Sequence, residues 1–595
     1  MVSQKRQLIF GLLAFCALTA YCDGERGMGF RPPGRRIVVE SQTETTRAGT
    51  LLSARPSRSS LPTKWDSRDE GWVSRVKHQG EVGACWAFAA CATIETQLLK
   101  AERGEWDLSE KNMVNLHGFE LGFSSGGNDY MAAAYLLRWG GAVAETNDVY
   151  CTLLENWTPS PRLRPALRIQ NVVWVPGRNN VYDNDTLKKA IKDYGAVSTS
   201  IYWGDSYEST SNYYCGVSKN CNHAITVVGW DDNYPASNFR TAPAGNGAWL
   251  IKNSWGTNYG DSGYYHVSYY DKNFAMLEGA VFIPATDDED YDAVYGYDTL
   301  GAINATGNYD ENTLEAAVLT SAWNEEIAAV GVYSYTENCP YEVLVYTNVT
   351  RTTSTSTWRP LNPLAGGALA CTFSDTLATA GFTTVHLPNP VKLADRTNFV
   401  VVYKQTTTSP EYAISSSCDF DDKNSTPYSR VTASYGNTYR GRVRFGNTSW
   451  TDLATEDCIA CLKAYTRSTV AVADAPAESD DGTAALAWLA TTNATLYAET
   501  SETFGAFAGL VGANGRSLYA SWLAGFDPAN AEDGEFVVSI SVTNNIPYIS
   551  WTPDLGSSTR KYVVYGTESL SPQNWQPVED MKKTAAKYFK VTISQ

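Results

Sequence analysis

Gln79-Gly80-Glu81-Val82-Gly83-Ala84-Cys85-Trp86-Ala87-Phe88 is a glycine-bearing loop that runs straight into a helical pattern. From Ala84 to about Lys100 the spacing puts Phe88, Cys91, Ala92, Leu98 and Leu99 on one side, and Gly104 offers a stop. Cys85 therefore falls in the first turn of an amphipathic helix. Unpaired backbone N–H groups and the positive end of the helix dipole favour an anion there, and the thiolate is the nucleophilic form of cysteine. A free cysteine with a pKa near ~8.5 is mostly protonated at neutral pH, so an imidazolium neighbour is what would complete its activation. Cys91 shares the apolar stripe with Phe88 and reads as core packing.

The chain has five histidines, which narrows the search for that neighbour. His223 opens Asn222-His223-Ala224-Ile225-Thr226-Val227-Val228-Gly229-Trp230, an apolar strand pattern able to hold a ring rigidly. Downstream, Trp249-Leu250-Ile251-Lys252-Asn253-Ser254-Trp255-Gly256 presents an amide at the end of another such strand. Asn253 could bond one ring nitrogen and leave the other facing sulfur, with Trp255 shielding that bond from water. His78, His117, His266 and His386 read as structural or surface residues, with His117 able to line a cleft.

These three blocks, in the order Cys, His, Asn, resemble the active-site segments of the papain family of cysteine peptidases. The resemblance extends over roughly Leu61 to Phe282 and includes Leu61-Pro62, Trp65-Asp66-Ser67-Arg68, Leu108-Ser109-Glu110 and Gly126-Gly127. It implies catalytic roles for Cys85, His223 and Asn253, and an oxyanion hole from Gln79 and the Cys85 N–H. It also implies substrate-binding roles for Gly126 and Gly127, which would pair with substrate backbone, and for Trp255. The chain departs from the pattern at Val82 and Ser124, where the family has the two halves of a disulfide, and at Leu116, where a further cysteine is common. Asn253 follows His223 by 30 residues, longer than the family's spacing, and the excess Asp231–Asn246 reads as a surface insertion between two strands.

At 595 residues the chain exceeds what one hydrophobic core supports, and several domains are expected. Residues 1–22 read as a signal peptide: Lys5 and Arg6 precede an apolar run, and Ala20-Tyr21-Cys22 offers a cleavage site. Lipidation at Cys22 fits poorly behind bulky Tyr21. Residues 23–60, with seven arginines among Gly, Pro, Ser and Thr, read as an exposed leader or linker. That leader lacks the long helical inhibitory prodomain of many papain-like zymogens, which implies an enzyme active from synthesis or controlled by another molecule. Residues 61–284 form the peptidase domain. After the acidic run Asp287–Asp290, short alternating segments such as Tyr341–Tyr346 and Phe399–Tyr403 predict an all-β domain over 288–466. Together with Tyr295-Gly296-Tyr297-Asp298 and Ile459–Tyr465, they resemble the lectin-like domain that follows the peptidase in a prokaryotic subgroup of the family. A linker at 467–485 and a small β-rich domain at 486–595 complete the chain.

The fold expected is thus multidomain: an α+β, two-lobed, papain-like domain with a helical lobe and a β-barrel-like lobe, then a lectin-like sandwich and a small C-terminal β-domain. Function should be secreted endopeptidase action through a thioester, outside the cell or at its surface, on protein or peptide substrates. A formal charge of -17 excludes the basic surface that a nucleic-acid partner needs. No metal, organic cofactor or transmembrane anchor is expected, and a monomer is. The β-domains would bind surfaces or glycans, although a lectin-like fold does not itself imply sugar binding. Twelve cysteines over this length give only local staples, with Cys215, Cys221, Cys458 and Cys461 the candidates. Two other readings use the same residues: an adhesion protein with a vestigial peptidase fold, and an acyl transferase in which an amine outcompetes water.

Overall fold

The computed structural model describes residue 26, residues 28–32 and 36–39, residues 61–469 with gaps, and five strands between residues 537 and 594. The expected signal peptide, most of the 467–485 linker and much of the C-terminal domain lie outside the described residues. Within the latter, backbone strands Val537–Thr543 and Ile546–Thr552 form one hairpin, and Lys561–Thr567 pairs with Gln576–Pro577 and Tyr588–Ser594. Among the described residues no helix is long and apolar enough to cross a membrane.

Helix α1, Cys85–Lys100, is buried along almost its whole length. Its stop differs from the expectation at Gly104. Glu102 takes the left-handed conformation (φ 56°), and its N–H bonds Leu99 O while Arg103 N–H bonds Leu98 O. That paired closure satisfies the last carbonyls two residues before the glycine. Two shorter helices pack beside α1. Helix α2, Glu110–Leu116, is capped by Ser109 Oγ, which accepts from Asn112 N at 3.1 Å. Helix α3, Asp129–Leu137, is capped by Asn128 Oδ1, which accepts from Tyr130 and Met131. Each cap answers orphan N–H groups of a first turn. These helices form one lobe.

The other lobe is an antiparallel sheet. Strand His223–Asp231 lies between Val197–Ile201 and Ala248–Lys252, with Tyr264–Ser268 beyond. Helix α4, Asp185–Tyr194, packs on it, over a core rich in Trp203, Tyr213, Trp230, Trp249, Trp255 and Tyr265. The excess residues between His223–Asp231 and Ala248–Lys252 form the loop joining these two neighbouring strands. Val82 is fully buried, and Gly83 N lies 3.4 Å from Ser124 Oγ, so the segments that the missing disulfide would join still meet.

The second domain is a sandwich. One sheet runs Ala368–Leu377, Cys339–Thr347, Asn398–Gln405, Thr313–Thr320, Thr438–Arg444 and Asn447–Asp452. Facing it are Ala293–Tyr295, Lys463–Ser468, Glu325–Ser334 and Gly381–Leu393. Inward residues such as Val330, Val332, Val343, Val345 and Phe399 alternate along their strands and fill the space between sheets. The Gly381–Leu393 strand continues into the first domain, with Gly381 opposite Val173 and Phe382 opposite Val172 of Ile169–Val175. Cys215 and Cys221, two of the expected staple candidates, are free thiols, as are Cys85 and Cys91.

Candidate active site

Helix α1 delivers Cys85 to the junction of the two lobes, where its Sγ accepts from Ala224 N at 3.3 Å. Ala224 follows His223, so the sulfur sits against the backbone at the start of the strand that carries the imidazole. His223 Nε2 lies 2.8 Å from Asn253 Oδ1, which also accepts from Ser254 N. Those acceptor bonds assign the proton to Nε2 and make Nδ1 a base; Nδ1 is buried with no hydrogen-bond partner among the described groups. Trp255 stacks on the His223 ring at 4.5 Å, nearly parallel, and excludes water from the His–Asn bond. The sequence pattern therefore pointed to residues that the fold brings together.

Gln79 is fully buried. Its Oε1 accepts from Ser254 Oγ at 2.6 Å, its Nε2 donates to Val82 O at 2.9 Å, and its N–H donates to Ser254 O. With its oxygen held by Ser254 and its nitrogen on Val82 O, the Gln79 amide is fixed in the loop that leads to Cys85. Lys77 secures that loop from behind: its Nζ reaches Glu95 Oε1 on α1 at 2.7 Å and Glu110 Oε1 on α2 at 2.8 Å. His117 does not line the cleft; it packs edge-on against Trp86 and accepts from Phe119 N.

The cleft itself is filled by the leader. Gly127 N donates to Gly29 O at 2.8 Å, Arg31 N donates to Gly127 O at 2.9 Å, and Phe30 N donates to Asn222 O at 3.1 Å. Phe30 thus forms a parallel bridge with Gly127. Gly126 holds φ 83°, and a Cβ there would come within 2.3 Å of Gly29 O, so the strap needs glycine on the wall. Met28 is buried among the aromatic residues of the sheet lobe. Arg26 pairs with Asp205 at 2.6 Å and Glu208 at 2.7 Å. Beyond the cleft, Arg36–Val39 joins Asn304–Gly307 of the second domain as a parallel strand.

The leader lies along Gly127 and Asn222 although it lacks the long helical prodomain of many papain-like zymogens. A strap that binds through main-chain groups needs no helical prodomain. Composition misses it, because backbone hydrogen bonds leave no side-chain pattern; the small and apolar Met28-Gly29-Phe30 amid arginines is its sole trace. Asn222, Ser254, Asp205 and Glu208 were missed for a similar reason, since each acts through a neighbour distant in sequence.

Enclosure sets the protonation state. Burial pushes the Cys85 thiol up to about 12, against N–H groups of Ala224, Gly29 and Trp86 that favour thiolate. Burial lowers His223 to about 4; the Asn253 bond opposes this and the Arg26 charge adds to it. Covered by its leader, the pair is thiol and neutral imidazole.

Comparison with known proteins bears on the family and the fold. A family profile described as "Papain family cysteine protease" matches residues 61–285, and one described as "Lectin like domain" matches 294–466. Cathepsin S of Mus musculus is 34% identical over 227 residues, covering 36% of this chain and 62% of its own length. Cathepsin R of Mus musculus is 32% identical over 247 residues, covering 40% of this chain and 70% of its own. The chain spans about six-tenths of the length of the first curated relatives it matches. Among solved structures, the cysteine protease and lectin-like domains of Cwp84, a surface layer associated protein of Clostridium difficile, superpose with a TM-score of 0.57 at 23% identity, covering 76% of this chain and 99% of that one. A variant of clostridial Cwp84, solved after propeptide cleavage, gives 0.57 at 24%, covering 68% and 99%. Those two show the two-domain fold.

Proposed function

The chain belongs to the papain family of cysteine proteases, and from that premise we propose that it is a secreted endopeptidase held latent by its own leader. The observation that carries this reading is Cys85 at the start of α1 with its sulfur on the backbone N–H next to His223, whose Nε2 is bonded to Asn253. Once the leader leaves, water and substrate enter, and the helix N-terminus and a protonated His223 can stabilise the Cys85 thiolate. The thiolate attacks the substrate carbonyl carbon. The oxygen becomes an oxyanion that Gln79 and the Cys85 N–H would stabilise. His223 gives its proton to the leaving nitrogen, the C–N bond breaks, and the acyl group remains as a thioester. Neutral His223 then takes a proton from water, whose oxygen attacks the thioester and releases acid and thiolate.

Gly126 and Gly127 supply the backbone groups that a substrate would use in place of the leader, and Trp255 shields the pair. The likeness to a surface-layer associated protein supports action outside the cell or at its surface, where the lectin-like domain would position the enzyme on a surface or glycan. The test is labelling with an epoxide inhibitor of papain-like enzymes before and after leader cleavage, with adduct mapping by mass spectrometry and peptide hydrolysis beside Cys85→Ala. An adduct on Cys85 only after cleavage, with hydrolysis abolished in the variant, is expected. No adduct in the cleaved protein would overturn the reading, and products joined to an added amine would turn it toward acyl transfer.

A further inference from the structure

Arg26 enters a pocket built from more than its two carboxylates. Its guanidinium lies 5.2 Å from the Trp255 ring and 5.3 Å from the Tyr259 ring. Asp205 and Glu208 receive separate nitrogens, at 2.6 Å and 2.7 Å. Glu208 is itself held, because Tyr265 OH donates to its Oε1 at 2.9 Å and leaves Oε2 for the ligand. Aromatic faces and a fixed carboxylate together suit a cation on a long stem. The pocket's own occupant shows the ligand chemistry.

Its position bears on the reaction. Trp255 stacks on His223 with one face of the pocket formed by the same ring. Gly29 sits against Gly83 and Cys85, and Arg26 lies three residues away, on the side opposite the Phe30 bridge to Gly127. His223 must protonate the leaving nitrogen, so the part of a substrate beyond that nitrogen runs over Trp255.

We infer that the Asp205–Glu208–Trp255–Tyr259 pocket is a substrate subsite that selects an arginine or lysine side chain on the leaving-group side of the cleaved bond, and that Arg26 occupies it only while the leader is in place. This rests on the endopeptidase reading above. It makes the leader's cation a stand-in for a substrate's, and release of the leader the event that opens the subsite.

The test uses the full chain with a sequence-specific protease site placed between residues 41 and 60, cut and washed free of leader. A peptide library carries arginine, lysine, glutamine or norleucine at each of four positions on either side of the cleaved bond. The expected result is a preference of at least tenfold in kcat/KM for a basic residue at one leaving-group position, residing mainly in KM and shrinking as salt is raised. In Asp205→Asn/Glu208→Gln the ratio of arginine to glutamine peptide should fall at least tenfold. A Cys85→Ala background gives a second readout free of turnover: a leader peptide spanning residues 24–32 should bind at least tenfold more tightly with arginine than with glutamine at position 26. Neutral and basic peptides cleaved alike would overturn the subsite while leaving the peptidase intact; no cleavage of any peptide would sink both. A double variant that loosens the leader but leaves the arginine-to-glutamine ratio unchanged would reduce the pocket to a leader anchor and refute the proposal.

Discussion

Gly29 sits where a side chain has nowhere to go: a Cβ would stand 2.2 Å from Gly83 O and 2.3 Å from its carbonyl carbon. Both are backbone atoms of the loop that leads into α1, so they cannot yield as a flexible side chain could. Gly29→Val should therefore lift the strap from Gly127 and Asn222. In uncut protein, the rate of Cys85 alkylation should rise at least tenfold, while the cut and washed enzyme keeps the wild-type rate; an unchanged rate in uncut protein would show that the strap does not guard the thiol. Protonation gives a second handle on the same contact. Under the leader His223 is held near 4 by burial, whereas an imidazole open to water titrates near ~6.5. In Cys85→Ala, where no thiol can pass its proton to the ring, the open state binds a proton between those values that the closed state does not, so closure of that variant is at full strength above about pH 6.5 and weakens as pH falls toward 4. Its hydrogen exchange at Phe30, Arg31 and Gly127, normalised to intrinsic rates, should accelerate over that window. Exchange that slows on acidification would contradict the sign.

Element by element, what sequence disclosed was local. Helix α1 and the strands bearing His223 and Asn253 are continuous apolar runs bounded by polar turns, and their periodicity is set within a few residues. The strap, the Arg26 pocket and the join between domains depend on which backbone meets which across hundreds of residues, and no periodicity records that. The Lys77 network spans far fewer residues but likewise leaves no periodicity. Lys77 stands two residues before Gln79 in the loop, while its partners Glu95 and Glu110 lie on α1 and α2, and Glu95 also accepts from Ser74 Oγ and Leu108 N. Both carboxylates are almost wholly buried. Lys77→Met keeps the stem and deletes the charge, leaving two buried acids without their cation, a change that costs roughly 3–5 kcal/mol in comparable settings. Burial already raises the Glu110 carboxyl despite Lys77. Without the lysine the folded state favours protonated Glu110 more strongly, so the deficit should grow as pH rises. Urea denaturation at two pH values checks both the size and the direction; a loss under ~1 kcal/mol would mean that Lys252, through Ser74, already neutralises the cluster.

At the scale of the whole molecule, two domains share what is ordinarily private to each. Interfaces between domains of one chain are commonly polar and allow relative motion. Here Trp174 and Phe282 of the first domain lie in one buried cluster with Ala329, Phe382 and Tyr465 of the second. Thr384 Oγ1 donates to Gln170 O at 2.6 Å, and Trp174 N donates to Ala380 O at 3.0 Å, so the sheet crosses the boundary with its hydrogen bonds intact. Gly381 is the pivot: it holds φ 133°, and a Cβ would stand 1.8 Å from Val172 O. Residues 61–469 should consequently unfold as one unit, with calorimetric and van't Hoff enthalpies in agreement. Gly381→Val should force the two strands apart and divide the transition in two. The leader adds a readout at a distance, because its Arg36–Val39 strand is held by Asn304–Gly307 of the second domain while Gly29 lies in the cleft of the first. Freeing the second domain should slacken the strap at both ends, and Cys85 in uncut Gly381→Val should alkylate faster than in wild type. Two separate transitions in the wild-type protein would instead mean that the shared core does not couple the domains, and the strap would then owe its hold to the cleft alone.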